Sequence, residues 1–238
     1  MSVFRLKALV TTICALVVAD SAAAERMPLR LATQVLPPYQ MIEDGQMTGI
    51  AIERVKCALE SLNTPYEFHM TSWSLAQLGT ETGRFDGFFV GSANSQRAEF
   101  AIASDPVISE ELSWYQLLNS KIDPNEEADA LRARYSAKFN TSKWRFLHNS
   151  GYNVVMRPRD AESLLNMLIE GDIDVALEYR AIFEHFMEKR GVDESQFRKI
   201  DFRRQDMSVH FSKKYIDANP LFVQLFNREI KRCVAQIQ

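Results

Sequence analysis

Between Phe85 and Val107 the chain reads FDGFFVGSANSQRAEFAIASDPV, and the residue types in that order suit the capture of a small anion. Phe88, Phe89 and Val90 have the character of a buried strand. Gly91, Ser92, Ala93, Asn94 and Ser95 follow as a loop of small residues, and then comes Arg97. Small residues at the end of a strand let backbone N–H groups approach a ligand, and hydroxyls add donors. A guanidinium is a planar, permanently charged fork that meets a carboxylate with two hydrogen bonds. The chemistry expected here is carboxylate binding, with Arg97 and Ser92 as the clamp. The plainer alternative is a solvated arginine after a turn, and the rest of the chain has to decide between them.

The elements that would hold this clamp alternate along the chain. Leu29–Thr33 reads as a strand that ends at Pro37-Pro38-Tyr39, and Ile50–Leu62 has apolar residues at a near-helical period. Tyr66–Met70 reads as a strand, Leu75–Thr82 as a short helix and Phe85–Val90 as a third strand. Strands alternating with helices predict an α/β domain with a largely parallel sheet, in which ligands collect beyond the strand C-termini. Tyr39, Trp73 and Ser92 to Arg97 all follow strands in that sense, so one cleft would gather them. A second α/β unit begins after Leu118. It contains a charged helix over Glu126–Arg134, a strand over Tyr135–Phe139, and a helix capped by Asn140-Thr141-Ser142. A strand over Tyr152–Met156, a helix between Asp160 and Gly171, a strand over Ile173–Leu177 and a helix over Ala181–Arg190 follow. MSVHFS from Met207 is strand-like, and Leu221–Ile237 closes the chain as an amphipathic helix. No internal repeat is legible.

The first residues read as an export signal. Arg5 and Lys7 precede an apolar run from Ala8 to Ala19, and Ala22-Ala23-Ala24 gives a small-residue cleavage pattern. Cleavage after Ala24 leaves 214 of the 238 residues and predicts a periplasmic product. The whole chain carries a formal charge of −3, which becomes −4 without Arg5, Lys7 and Asp20. A mildly acidic chain without a basic stripe argues against nucleic acid as a partner. His69, His148, His185 and His210 are scattered without metal-ligand spacing, so neither a metal nor a cofactor is expected. Two cysteines outlast the leader, Cys57 and Cys233. An oxidising compartment permits a bridge between them, and two separate buried thiols remain the alternative.

Four segments in order carry a likeness to a known family: LRLATQVLPPY, MTGIAIERVKCALESL, RFDGFFVGSANSQRAEFAIASDPV and DAESLLNMLIEGDIDVALE. The chain resembles bacterial extracellular solute-binding protein family 3, the amino-acid-type periplasmic receptors of ABC transporters. The resemblance implies a type II periplasmic binding protein, with two α/β lobes, a ligand cleft between them and two crossing strands. It divides the chain into a leader (1–24), lobe 1 (25–116 plus 206–238) and lobe 2 (117–205). It sets the C-terminal helix on lobe 1 beside Cys57, which implies a Cys57–Cys233 disulfide.

The resemblance also implies site roles. Arg97 takes the position that holds a ligand α-carboxylate, Ser92 assists it, and Trp73 lines the pocket. Thr141 takes the lobe 2 hydroxyl that closes over the carboxylate. There are departures. Asn140 stands where the family has glycine, and Leu36 where a stacking aromatic is expected, which leaves Tyr39, Trp73 or Trp114 to replace it. Tyr179 occupies the place of the acid that pairs with an α-ammonium, with Glu178 one residue earlier. Alternate strand residues face opposite ways. Either Glu178 reaches the ligand through a bulge, or the ligand lacks an ordinary ammonium.

The function expected is therefore non-enzymatic. A monomer would capture a small polar solute, an amino acid or related carboxylate, by hinge closure and deliver it to an ABC permease. Two alternatives share the scaffold: an enzyme resembling cyclohexadienyl dehydratases, with Glu178 as general acid, and a ligand sensor for a membrane receptor.

Overall fold

The computed structural model describes residues 27–123 and 126–237; the expected leader lies outside the described residues. The first half contains β1 (Leu29–Thr33), β2 (Met41–Glu43), β3 (Gln46–Thr48), α1 (Ile50–Ser61), β4 (Tyr66–Met70), α2 (Trp73–Glu81), β5 (Gly87–Gly91) and α3 (Ser95–Phe100). The long β6 (Ala101–Leu117) leads out of it. Next come α4 (Glu127–Ala130), β7 (Tyr135–Ser136), α5 (Ser142–Asn149), α6 (Ala161–Ile169), β8 (Val175–Tyr179) and α7 (Arg180–Arg190). A second long strand, β9 (Phe197–Ser212), returns the chain to α8 (Lys213–Ala218) and α9 (Phe222–Gln236).

A seven-stranded sheet in the order β4-β1-β5-β9-β6-β8-β7 runs through the described residues. Its two ends are parallel, β4-β1-β5 on one side and β8-β7 on the other. The β6–β9 pair between them is antiparallel and registers from Ala101↔Ser212 to Leu117↔Phe197. The sheet is thus mixed rather than largely parallel. The largely parallel reading failed because β6 and β9 do not look like core strands. Residues 201–204 are exposed, Pro106 interrupts β6, and the register shifts on both sides of it. Strands that cross between two lobes lack a helix on each face, so they keep polar side chains where buried parallel strands are apolar.

Helical period explains the packing of each half. Ala51, Ile52, Val55, Ala58 and Leu59 bury one face of α1, and Phe226, Ile230 and Cys233 bury one face of α9. Each large apolar side chain so buried contributes roughly 1.5–3 kcal/mol. Cys57 and Cys233 form a disulfide between the two helices, with Cα atoms 6.0 Å apart. In the second half, α6 turns Leu164, Leu165 and Leu168 inward, and the Asp160 carboxylate accepts the Ser163 N–H at its start (2.7 Å). Trp114 sits in an aromatic cluster with Tyr135, Phe146, Tyr152 and Phe202.

Each half repeats one polar device. The Arg30 guanidinium forks onto Asp86 (3.0 and 2.9 Å), whose carboxylate also takes the Arg30 backbone N–H. Arg134 does the same with Asp174 (3.0 and 2.7 Å, plus its N–H). The second arginine nitrogen also reaches the carbonyl of Gly83 or Gly171, so a Gly-x-x-Asp run serves both halves. The guanidinium holds the Asp174 carboxyl below its ordinary range. These clasps fix the entrances of β5 and β8, and so fix what leaves their far ends.

Candidate ligand-binding cleft

The far end of β5 delivers Gly91 and Ser92, and Asn94 then starts α3 by accepting the Arg97 N–H on its side chain (2.9 Å). The cap turns the arginine inward. Arg97 is 2% exposed. Its Nε donates to Gln77 Oε1 (3.0 Å), and its Nη1 donates to the Ser92 carbonyl and, more distantly, to the Ser92 hydroxyl (3.4 Å). Its guanidinium carbon lies 5.0 Å from the Trp73 ring and 5.8 Å from Phe88. Nη2 has no acceptor and the guanidinium no carboxylate partner among the described residues. Burial and nearby Arg145 bring its pKa down to about 10. Beneath it His210 stacks on Phe88 (4.7 Å) and bonds to the Gly91 carbonyl (2.9 Å), and burial lowers its pKa to about 4. Gly91 fits closely here: a Cβ would stand 3.0 Å from the Trp73 ring and 3.3 Å from His210, tighter than ordinary contact.

The opposing wall comes from the start of α5. Thr141 caps it: its hydroxyl accepts the Trp144 N–H (3.3 Å) and donates to the Lys138 carbonyl (2.6 Å). Asn140 has a φ of 59°, a left-handed conformation that asparagine and glycine tolerate best. That requirement accounts for asparagine in a position where the family resemblance expects glycine. Lys143 is 3% exposed and forms an ion pair with Glu178, which is fully buried. Glu178 Oε1 also accepts the Tyr179 N–H (2.8 Å), and the Lys143 ammonium lies 4.2 Å from the Tyr179 ring centre. Lys138, 9% exposed, donates to Gln34 of the other wall. Burial, then the neighbouring Lys143, lowers its pKa to about 8. Burial also lowers that of Lys143, against the opposing pull of Glu178.

The two walls touch. Ser92 and Ser142 hydroxyls meet at 2.6 Å, and the Asn140 amide donates to the Ser74 hydroxyl at 2.7 Å. Between them lies a hollow of about 30 Å³ lined by Gln34, Leu36, Trp73, Val90, Gly91, Ser92, Arg97, Lys138, Thr141, Ser142, Lys143, Tyr179 and Met207. That is room for about two waters, so a larger solute enters only when the walls part. Of the residues expected from sequence, Arg97, Ser92, Trp73, Thr141 and Tyr179 line the hollow. Tyr39 and Glu178 do not. The Tyr39 hydroxyl donates to Glu110, and strand alternation turns Glu178 away from the side on which Tyr179 faces the cleft. Lys138, Lys143 and Gln34 escape sequence reasoning, because lysine in a polar stretch ordinarily reads as a solvated side chain.

No family model matches the chain, and no curated protein sequence matches it. Solved structures do. A histidine kinase sensor domain with similarity to periplasmic binding proteins superposes with a TM-score of 0.76 at 17% identity, covering 88% of this chain and 92% of that one. The fold is that of a two-lobed periplasmic binding protein. An ancestral arginine-binding protein bound to arginine gives a TM-score of 0.73 at 13% identity, covering 89% and 96%. An amino acid ABC transporter substrate-binding protein from Streptococcus pneumoniae, bound to L-arginine, gives 0.71 at 15%, covering 88% and 92%. At such identities the likeness carries the fold and leaves the ligand to the chemistry of the cleft. Among the described residues no helix is long and apolar enough to cross a membrane.

Proposed function

We infer that this chain is an exported, monomeric solute-binding protein that captures a small carboxylate between its lobes and presents the closed form to an ABC permease. Lobe 1 comprises residues 25–116 and 206–238, and lobe 2 residues 117–205. The observation that carries the reading is Arg97: a guanidinium buried at the lobe interface, with one nitrogen unpartnered and no carboxylate of its own among the described residues. A buried charge of this kind costs several kcal/mol unless a counter-charge meets it. A ligand carboxylate supplies the counter-charge, and the Ser92 hydroxyl, with that of Thr141 once it turns from the Lys138 carbonyl, completes its hydrogen bonds from the two lobes. Ligand contacts both walls only when they are closed, so binding selects closure. Thermal-shift measurements across amino acids and small organic acids test this. Saturating ligand at 100 times Kd stabilises the fold by about 2.7 kcal/mol, and Arg97→Ala abolishes the response. A failure of every acid to move Tm refutes the reading.

Sensing for a membrane receptor is the second reading, favoured by the likeness to a histidine kinase sensor domain. Neighbouring genes separate the two: a permease with its ATPase speaks for transport, a kinase for sensing.

A further inference from the structure

We propose that the cleft is built for a small dicarboxylate without an ammonium group, one carboxylate held from each lobe, in place of an α-amino acid. This rests on the solute-binding reading above. The charges lining the hollow are Arg97 from one lobe and Lys138 and Lys143 from the other, and no carboxylate lines it. All three are at least nine-tenths buried. Glu178 neutralises Lys143 from behind, while Arg97 and Lys138, on opposite walls, have no carboxylate in hydrogen-bond contact among the described residues, Glu178 and Asp160 acting on Lys138 only from a distance. Their other partners are neutral acceptors, Gln77 for Arg97 and Gln34 for Lys138. Trp73 is also in the lining, and its indole N–H is buried without an acceptor among the described residues. Closing the lobes over such a lining brings like charges together, and a dianion between them reverses the sign of that interaction.

An ammonium has nothing comparable to meet. Lys143 is already the cation on Glu178 Oε1; the second oxygen, Oε2, is buried without a partner, yet Glu178 stays outside the lining. The built-in ammonium of Lys143 thus stands where an amino acid would bring its own. Burial holds the ammonium of Lys138 below its ordinary pKa, so a carboxylate beside it also relieves a cation that the fold leaves short of counter-charge.

The test uses matched pairs that differ by one ammonium: succinate against aspartate and glutarate against glutamate, by calorimetry and thermal shift at pH 7 and fixed ionic strength. The expected result is that one diacid binds at least tenfold more tightly than its amino partner and than its one-carboxylate counterpart, butyrate for succinate and valerate for glutarate. Lys138→Gln should lower that affinity at least tenfold with little change in binding of the one-carboxylate counterpart. Lys143→Ala frees Glu178 and should lower the diacid-to-amino-acid preference at least tenfold; where that variant fails to fold, Lys138→Gln and the matched pairs decide. Tighter binding of aspartate, glutamate or another α-amino acid overturns the inference while leaving the solute-binding reading intact. If no acid of either kind binds, the solute-binding reading falls, and this inference with it.

Discussion

Lys138 makes the charge imbalance of the cleft measurable without any ligand. Its folded pKa of about 8 lies below the roughly 10.4 of an unfolded lysine. Between pH 7 and 9 the unfolded chain keeps this proton, while the folded chain passes from about nine-tenths to about one-tenth charged. The unfolded state therefore binds more protons, and stability rises with pH across that window. Integration from pH 7 to 9 gives about 1 kcal/mol, or a few °C in Tm for a chain of this length. The groups acting on Lys138 are Lys143, Glu178 and Asp160. The lowered pKa of Lys143 has the same sign and adds to the wild-type slope, so the difference between wild type and Lys138→Met isolates the part that belongs to Lys138. The assay is urea unfolding by circular dichroism at half-unit steps of pH. A flat or falling stability from pH 7 to 9, or a rise that is undiminished in Lys138→Met, would refute a desolvated cation at this position.

Other perturbations test separate parts of the molecule. His210 is held near pKa 4 against about 6.5 unfolded, so stability should fall by about 3 kcal/mol as pH drops from 6.5 to 4; an NMR titration showing His210 protonated at pH 6 contradicts it. Gly91→Ala puts a methyl 3.0 Å from the Trp73 ring, and overpacking of this kind costs about 1–3 kcal/mol; the expected sign is a lower Tm with a shifted Trp fluorescence maximum, and an unchanged spectrum counts against it. Removing Cys57 and Cys233 together opens a loop 176 residues long, worth at most about 5 kcal/mol in the chain-entropy account; chemical denaturation of Cys57→Ser/Cys233→Ser measures it. Asp174→Ala leaves Arg134 without its fork and, with both partners part-exposed, should cost about 1–2 kcal/mol; a cost near zero would mean that solvent replaces the clasp.

The strands and helices flanking the cleft were largely legible because their signals are local. The period of α1, the Asp160 cap of α6 and the apolar run of β5 each reflect burial of one face. The β6–β9 crossing was legible only at its Met207–Ser212 end, since its middle is exposed to solvent and written in charges. Trp73 opens α2 two residues before the expected start, because Ser72 accepts the Leu75 N–H and draws the helix back to the cleft. Tyr152–Met156, expected as a strand, contributes only the Tyr135↔Val154 bridge. Its aromatic residue is spent on the Trp114 cluster. In the site, the small-residue loop announced Arg97, whereas Lys138 and Lys143 carried no sequence signal. Their burial depends on the opposite lobe and on Glu178, contacts 104 and 35 residues away along the chain. The paired Arg–Asp clasps also went unread, since a shared Gly-x-x-Asp is too short to stand out as a repeat.

The covalent tie between α1 and α9 has a bearing on how this molecule survives damage. A protease that cuts anywhere between Cys57 and Cys233 produces two pieces that remain one molecule. Such a nicked chain runs as a single species until a reductant is added. For a cut between β6 and β9, the long pairing of these strands also holds the two pieces together. A cut in the stretch after Leu118 therefore severs the polypeptide and leaves both walls of the cleft able to meet. In this architecture the two walls are held together by more than an unbroken backbone.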